Sequence, residues 1–396
     1  MKSIYTIVSS SRRRRVLIWT GIGLWLSILV GCGTLVGCGP SAEELKAVVY
    51  TPRDRADWPV STPAAEGLDP LLVARLYYNA AKLKSLYGVL VIKNDTLIAE
   101  KYFNIGYIDQ VSGRMSFTKS VTSALIGLAL EQGYLKNLDQ KMIDFFPEYA
   151  ELITDPRKKQ ITIRQLLMMR SGYPWEEHYP DLTRRMFWVD DWRWLPHIVD
   201  VPLDSDPGTR FGYSNLGSHL LGVIAARATH LDLMVYAQKN LFTPIGATIA
   251  DWTQDEDGYR WGFWEIQLTA RDMAKFGKLY MHGGRWDGTQ VIPEAWVKDS
   301  LIRYSEGINF TAWIGSGLGG YMHDLGYGYQ WWSATAGRHT YDFAWGHGGQ
   351  LVVLLHDLDM MIVTTADPLY GVPGEESWHY EGAIIDLVGE FIASLP

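Results

Sequence analysis

The chain has 396 residues, of which 47% are hydrophobic and 20% are charged. It is therefore long and apolar enough to bury a full core, which excludes a disordered or fibrous chain. The formal charge is −8, and because the first 38 residues carry five cations and no acid, the remainder is near −13. A surface that acidic argues against nucleic acid as a partner.

The first 38 residues have the pattern of an export signal, with four arginines at 12–15 followed by the apolar stretch 16–36. Both cysteines of the chain lie here, each directly after Leu-Val-Gly. This pattern resembles the bacterial lipobox, whose cysteine becomes the lipidated first residue of the mature protein. We expect lipid attachment at Cys38, because it leaves the whole apolar stretch as the signal, with Cys32 as the second candidate.

An uncleaved signal-anchor is the alternative to lipid attachment, since about 20 apolar residues also suffice to span a bilayer. Either mechanism predicts that the rest of the chain is exported and membrane-anchored in the bacterial cell envelope, on the periplasmic or outer-surface side. No cysteine follows residue 38, so the exported part has to be stable without disulfides.

Beyond the signal, residues 39–65 are polar and contain proline, which predicts a linker before one domain over residues 66–396. The domain opens with helical spacing of apolar residues over Pro70–Ser85. A β-hairpin is predicted next, with strands Gly88–Lys93 and Leu97–Tyr102.

Small apolar residues over Thr118–Gln132 predict a buried helix that ends at Gly133. From there to about residue 290 the chain is predicted to be mainly helical with long loops. The remaining predicted elements are strands at Tyr329–Trp332, Thr340–Trp345, Leu351–Leu355 and Met361–Thr365 and a final helix at Tyr380–Ser394. Together they predict an α+β fold, with an antiparallel sheet built from both ends of the chain, flanked by helices, and a mainly helical region inserted.

Ser116 and Lys119 form a Ser-x-x-Lys pattern at the start of the predicted buried helix. Residues three apart share a helix face, so the lysine amine can reach the serine hydroxyl. A desolvated amine can take the hydroxyl proton, and the positive end of the helix dipole favours charge developing on the serine oxygen. The pattern alone is also typical of a helix cap beside a solvated lysine, so its weight depends on the motifs that follow.

Tyr213 and Asn215 follow a Pro-Gly turn and precede an apolar helix, Leu216–Ala228. A tyrosine beside a lysine cation is expected to release its proton more readily, and so to serve first as base and then as acid. The asparagine amide can hold the lysine or a substrate carbonyl. A Tyr-x-Asn pattern by itself does not indicate a site.

His347, Gly348, Gly349 and Gln350 precede a strongly apolar strand. Glycines allow a substrate backbone to approach a strand edge, and the N–H after them can complete an oxyanion hole with the N–H of Ser116. On its own, this segment is also typical of a glycine turn between two strands.

In order, the Ser-x-x-Lys helix, the Tyr-x-Asn loop and the basic-Gly-Gly strand resemble the three motifs of the penicillin-recognising serine hydrolases, which include class C β-lactamases, DD-peptidases and esterases. The resemblance covers residues 70–393 and includes landmark stretches such as 161–167 and 268–273. It implies Ser116 as the acylated nucleophile and Lys119 with Tyr213 as the acid/base pair. It also implies that His347 and the following glycines lie on the strand that lines the cleft.

The third motif departs from the pattern of true β-lactamases. His347 stands where they carry a lysine, and Gly348 replaces the usual Thr or Ser. A cation and a hydroxyl suit the carboxylate of penicillins and of peptidoglycan stems, whereas a mostly neutral imidazole suits them less. The departure favours the family's esterases, amidases and enzymes similar to 6-aminohexanoate-dimer hydrolase.

Three hypotheses follow for the activity. The first is a serine hydrolase that cleaves a small ester, amide or peptide through an acyl-enzyme on Ser116. The second is a DD-peptidase or β-lactamase, and the third is a lipoprotein that keeps the fold as a non-catalytic binding module. The intact Ser116, Lys119, Tyr213 and Asn215 argue against the third hypothesis.

We expect no cofactor and no metal site, because the ten histidines show no His-Glu-x-x-His or paired metal spacing. Residues 173–194 are rich in tryptophan and tyrosine. Such a loop can roof the cleft and hold an apolar group of the substrate, or it can be attached to the domain by buried tryptophans. The sequence leaves both interpretations open.

Overall fold

The computed structural model describes residues 39–186, 193–309, 320–371 and 375–396. The chain divides into two units, Met1–Gly39 and Pro40–Pro396, and every element below belongs to the second. Cys32, Cys38 and the rest of the predicted signal lie outside the described residues, as do residues 187–192 of the aromatic loop.

Helices and strands alternate irregularly along the second unit. The helices are α1 (Ala42–Lys46), α2 (Pro70–Ala80), α3 (Phe117–Glu131), α4 (Ile163–Leu167), α5 (Pro180–Arg184), α6 (His197–Asp200), α7 (Asn215–Thr229), α8 (Leu233–Ala237), α9 (Ala270–Met281), α10 (Glu294–Ser300) and α11 (Glu375–Ala393). The strands are β1 (Leu86–Lys93), β2 (Thr96–Tyr102), β3 (Ser112–Gly113), β4 (Asp251–Trp252), β5 (Ile266–Leu268), β6 (Arg285–Trp286), β7 (Thr289–Gln290), β8 (His323–Tyr327), β9 (Trp332–Ala336), β10 (His339–Gly346), β11 (Gln350–Leu355) and β12 (Met360–Ala366).

The main sheet has seven strands in the order β2-β1-β12-β11-β10-β9-β8, and neighbouring strands are antiparallel. Strands from the two ends of the chain meet inside it, with Val91 on β1 opposite Ile362 on β12. The helical region lies between these strands in sequence, and it also contributes the small sheet β3-β5-β4. The predicted α+β fold is therefore confirmed.

Both faces of the sheet are covered, which explains why its central strands are apolar throughout. Alternate residues of a strand point to opposite faces. On β1, Val89 and Val91 pack with α2 and α11, whereas Leu90 and Ile92 pack with α3 and α9. The site lies at one end of α3, so its position depends on the packing of this second face.

Several predicted boundaries differ from the structure. The first helix, predicted to Ser85, ends at Ala80, and the last, predicted from Tyr380, begins at Glu375. Part of the predicted linker 39–65 folds onto the domain, because Leu45 and Trp58 are buried there. The predicted strand Tyr329–Trp332 is mostly the turn between β8 and β9. Gln330 in that turn has φ 62°, and its side-chain amide donates to the carbonyls of Leu166 and Leu167, so the segment cannot continue a strand.

Within the described ranges, no single helix is long and apolar enough to cross a membrane. One pair of helical segments, Asn215–Thr229 and Leu233–Ile245, passes on length and composition with a bend of 77° between them.

Candidate active site

Ser116 stands directly before α3, whose residues Phe117–Ala129 are all buried. It is the N-cap residue, yet its side chain makes no capping hydrogen bond, so the hydroxyl is available to other partners. Met115 before it has φ 46°, in the left-handed region that non-glycine residues rarely adopt. This turn places the serine hydroxyl at the positive end of a buried helix.

The amine of Lys119 lies on the same face of α3 and contacts three oxygen atoms. Its Nζ is 2.8 Å from Oγ of Ser116, 2.8 Å from Oδ1 of Asn215 and 3.2 Å from the carbonyl oxygen of Phe263. The side chain is 1% exposed. All three partners are neutral, so none of them compensates a full positive charge as a carboxylate would.

The environment of Lys119 lowers the pKa of its amine to about 7. Burial is the dominant cause, because it disfavours the charged form, and the charges of Glu177 and Glu176 raise the pKa by less. At neutral pH a substantial fraction of the amine is therefore unprotonated. A neutral amine has two N–H donors and one lone pair. Asn215 and the carbonyl of Phe263 can take the two donors, which leaves the lone pair for Ser116.

Tyr213 is 5% exposed, and its ring centroid is 4.7 Å from Nζ of Lys119. Burial raises the pKa of its hydroxyl well above 10, although a hydrogen bond with Ser116 lowers it in part. The expectation that Tyr213 releases its proton more readily is therefore wrong for the resting site. The hydroxyl is protonated at rest, because burial and the charges of the nearby glutamates outweigh the hydrogen bond with Ser116.

Asn215 begins α7, and two consecutive glutamates hold it in place. Glu177 accepts the side-chain amide at 3.0 Å, and Glu176 accepts the backbone N–H at 2.9 Å. Glu176 is fully buried and also accepts the hydroxyl of Ser214 at 2.6 Å and the N–H of Leu216 at 3.0 Å. Burial raises the pKa of its carboxyl to about 7, even though these hydrogen bonds lower it.

The third motif lies at the turn between β10 and β11, and its strand end packs against the residues before Ser116. A Cβ on Gly346 would come within 2.2 Å of the carbonyl oxygen of Arg114, which shows how close the two segments are. Nδ1 of His347 is 2.6 Å from Oε2 of Glu381, a residue of α11 that is 1% exposed. The imidazole itself is 26% exposed.

The pairing with Glu381 changes the interpretation of His347. Burial lowers the pKa of the imidazole, but the charge and hydrogen bond of Glu381 raise it by more, and the net shift is upward. Glu381 also accepts from Nε1 of Trp345 at 2.5 Å and from the N–H of Gly348 at 3.0 Å. The buried carboxylate therefore shifts the imidazole towards its charged form, a contact that the expectation of a mostly neutral ring did not include.

The two glycines of the turn serve its backbone geometry. Gly348 and Gly349 have φ 83° and 90°, and side chains there would collide with Pro368 and Ile384. The N–H of Gly348 is bonded to Glu381 and that of Gly349 to the carbonyl of Gly346 at 3.3 Å. Both N–H groups therefore have a partner within the fold, and the prediction that these glycines let a substrate approach the strand edge stays a prediction.

The side chain of Gln350 is fully buried and does not line the cleft. Its Oε1 accepts from Nη1 of Arg114 at 3.1 Å, and its Nε2 donates to the carbonyl of Ala366 at 2.7 Å. The guanidinium of Arg114 also donates to the carbonyl of Leu268. This network holds the turn before Ser116 against two strands, so the side chain of Gln350 supports the site from behind. The role of its backbone N–H in an oxyanion hole stays a prediction.

A family model described as Beta-lactamase matches residues 87–380, which include all three motifs. The chain belongs to the beta-lactamase family. One relative in this family is the 6-aminohexanoate-dimer hydrolase of Paenarthrobacter ureafaciens, 25% identical over 75% of this chain and 76% of its own. A putative D-alanyl-D-alanine carboxypeptidase of Escherichia coli is 28% identical over 28% of this chain and 26% of its own.

Solved structures share the beta-lactamase fold. A putative 6-aminohexanoate-dimer hydrolase from Bacillus anthracis has a TM-score of 0.63 at 20% identity and covers 88% of this chain and 91% of its own. EstCE1, a hydrolase with promiscuous acyltransferase activity, has a TM-score of 0.62 at 15% identity, covering 80% and 98%. The family and its serine hydrolase class are confirmed, and the roles of individual residues stay predictions.

The aromatic loop of this beta-lactamase family member both attaches to the domain and contacts the site. Trp194 is fully buried, with its ring centroid 4.5 Å from that of Phe263. Trp175 lies 5.1 Å from the ring of Tyr213, on the site side. Trp194 therefore attaches the loop to the domain, and Trp175 places it against Tyr213. A role of the loop in holding an apolar group of the substrate stays a prediction.

Four residues of the site were not identified from the sequence: Arg114, Glu176, Glu177 and Glu381. Arg114 stands two residues before Ser116 but belongs to no motif, and the three glutamates stand far from Ser116 and Lys119 in the chain. The contacts of all four join segments that are distant in sequence. The only available signal was that Glu176 and Glu177 follow a landmark stretch of the family. Among the described residues, no group of three or more His, Cys, Asp or Glu side chains could hold a metal ion.

Proposed function

We propose that the protein hydrolyses an ester or amide through an acyl-enzyme on Ser116. The observation that supports this proposal most strongly is the contact of a buried amine, whose pKa is lowered to about 7, with the serine hydroxyl at 2.8 Å. Such an amine is a base matched to neutral pH.

In the acylation step the oxygen of Ser116 attacks the substrate carbonyl carbon, and its proton passes to the neutral amine of Lys119. Negative charge develops on the carbonyl oxygen, near the N-terminus of α3. As the bond to the leaving group breaks, the hydroxyl of Tyr213 gives its proton to the leaving group and is reprotonated by Lys119. Water then attacks the acyl-enzyme by the same proton path, which releases the acid and restores the serine.

Two relatives support an ester or amide as the substrate class, since one is a 6-aminohexanoate-dimer hydrolase and the other a hydrolase with acyltransferase activity. One observation favours a second candidate, a DD-peptidase or β-lactamase. Glu381 raises the pKa of His347, and a charged imidazole can bind a substrate carboxylate as a lysine does. A non-catalytic binding module is the third candidate, and the assembled contacts of Lys119 argue against it.

Covalent labelling tests the central proposal. A fluorophosphonate probe should label Ser116, as located by peptide mapping, and Ser116→Ala should abolish both labelling and hydrolysis of p-nitrophenyl butyrate. Ser120→Ala, which changes a buried serine on the same helix, is the matched control and should keep the label. Label on another serine, or undiminished turnover by Ser116→Ala, would refute the acyl-enzyme.

We further propose that the chain is exported and tethered to the membrane through Cys38 or, failing that, Cys32. The apolar stretch and the two Leu-Val-Gly-Cys repeats support this proposal. The expressed protein should fractionate with membranes and carry a diacylglycerol, and substituting both cysteines should release it. Unchanged membrane retention with an intact N-terminus by mass spectrometry would favour the signal-anchor instead.

A further inference from the structure

We propose that Glu177 is a positioning residue for the catalytic base, because it holds the amide of Asn215 in the orientation that Lys119 requires. This inference rests on the proposed role of Lys119 as base. Glu177 lies on the aromatic loop and Asn215 at the start of α7, so the contact also joins two segments of the site.

The contacts specify one orientation of the amide. Oδ1 of Asn215 accepts from Nζ of Lys119 at 2.8 Å, and Nδ2 donates to Oε1 of Glu177 at 3.0 Å. An amide has an acceptor at one end and donors at the other. If it were rotated by half a turn, its donors would face the lysine and its oxygen would face the carboxylate. Both contacts would then be lost together.

The neighbouring Glu176 fixes the backbone of the same residue. It is fully buried and accepts the N–H of Asn215 at 2.9 Å and the hydroxyl of Ser214 at 2.6 Å. Two consecutive glutamates thus determine where Asn215 lies and which way its amide points. Because Glu177 is exposed, it can be replaced without leaving a buried charge uncompensated, whereas Glu176 cannot.

The charge of Glu177 has a second, separable effect. The amine of Lys119 contacts Ser116, Asn215, the ring of Tyr213, and the carbonyl and ring of Phe263. The charges that act on it are those of Glu176 and Glu177. Of the two carboxylates, Glu177 has the larger effect on the pKa of Lys119 and raises it. Removing that charge therefore lowers the lysine pKa further, while removing the acceptor disturbs the amide.

The two effects can be separated with the rate constant for fluorophosphonate labelling of Ser116 between pH 5 and 9. Glu177→Ala should reduce the plateau rate about tenfold or more, because the amide loses its orientation. Glu177→Gln keeps an acceptor and should recover most of that loss. In Glu177→Gln the acidic limb of the profile should also move by about half a pH unit to lower pH.

Glu131→Gln is the matched control, because it removes an exposed charge at the far end of α3 and should leave the profile unchanged. Melting temperatures should agree within about 2 °C for all variants, as expected for surface substitutions. Two outcomes would overturn the inference: profiles of both Glu177 variants that coincide with the wild type, or equal losses in Glu177→Ala and Glu177→Gln. If Ser116 of the wild type is labelled, either of these outcomes overturns the inference about Glu177 and leaves the proposed acyl-enzyme intact.

Discussion

Two buried cations of this protein, Lys119 and Arg271, have opposite environments. Arg271 is 3% exposed as a side chain and donates to Glu100 at 2.7 Å and to Asp57 at 2.6 Å. Burial lowers the pKa of its guanidinium, but the two carboxylates raise it by more, so it is held charged. Lys119 is equally buried but bonds only to neutral oxygens, and its pKa falls to about 7.

The difference shows how one fold obtains both a fixed charge and a base. A buried cation with carboxylate partners stays charged and supports the structure. A buried amine without such a partner titrates near neutral pH and can accept a proton. In this site the carboxylates of Glu176 and Glu177 bond to Asn215, and Asn215 in turn bonds to Lys119.

Removing a carboxylate partner of Arg271 should reduce the stability of the fold. Glu100→Ala should reduce the free energy of unfolding by about 3–5 kcal/mol, because it leaves the buried Arg271 without its main partner. Urea denaturation of the catalytic domain measures this loss. Glu294→Ala, which breaks the exposed pair with Lys298, is the control and should leave the midpoint unchanged. Equal midpoints for the two variants would contradict the assigned role of Arg271.

Removing the acid/base groups of the active site, Lys119 and Tyr213, should reduce activity rather than stability. Lys119→Ala and Tyr213→Phe should each reduce kcat by about a hundredfold or more, the usual scale for general acid/base help. Their effects should not add, because both residues serve one proton path. Steady-state hydrolysis of p-nitrophenyl butyrate measures the single and double variants. A double variant whose logarithmic loss equals the sum of the single losses would argue against a shared path.

A carboxylate placed beside Lys119 should keep its amine charged, as the carboxylates beside Arg271 keep the guanidinium charged. In the double variant Asn215→Asp with Glu177→Gln, the new carboxylate faces the amine, and the glutamine avoids repulsion behind it. The lysine pKa should rise, so labelling of Ser116 should fall about tenfold at pH 7 and recover above about pH 9. Glu177→Gln alone is the control. A loss that does not recover at high pH would show that geometry, not the charge state, was damaged.

The sequence predicted those features of the fold and site whose residues lie close together in the chain. Ser116 and Lys119 stand three residues apart at the start of one helix, and the central strands are apolar runs, so local patterns predicted both. The serine and lysine gained their weight from the two later motifs. The contacts of Glu176 with Asn215 and of Arg114 with Gln350 join residues 39 and 236 positions apart. Such pairs depend on tertiary packing, which no local pattern encodes. The same limit explains why the sequence did not predict the upward pKa shifts of Tyr213 and His347, which arise from burial at Tyr213 and from Glu381 at His347.

The smallest expected effect concerns the third motif. Glu381→Gln removes the charge that favours the protonated His347, so the imidazole should become neutral at lower pH than in the wild type. The ratio of kcat/KM for anionic nitrocefin to that for uncharged p-nitrophenyl butyrate should fall about threefold to tenfold. His347→Gln should lower the ratio similarly, and His347→Lys should raise it. A ratio unaffected by all three variants would show that this position does not set substrate choice.

Measuring the pKa of Lys119 is the most direct test of the central claim, that a buried amine without a carboxylate partner serves as the base. NMR titration of the protein labelled with ¹³C at lysine Cε can follow it, with the Lys119→Met variant identifying its signal by absence. We predict a midpoint of about 7 for that signal. A midpoint near the ordinary lysine value of about 10.4 would contradict this account, because the amine would then be charged at neutral pH and unable to take the proton of Ser116.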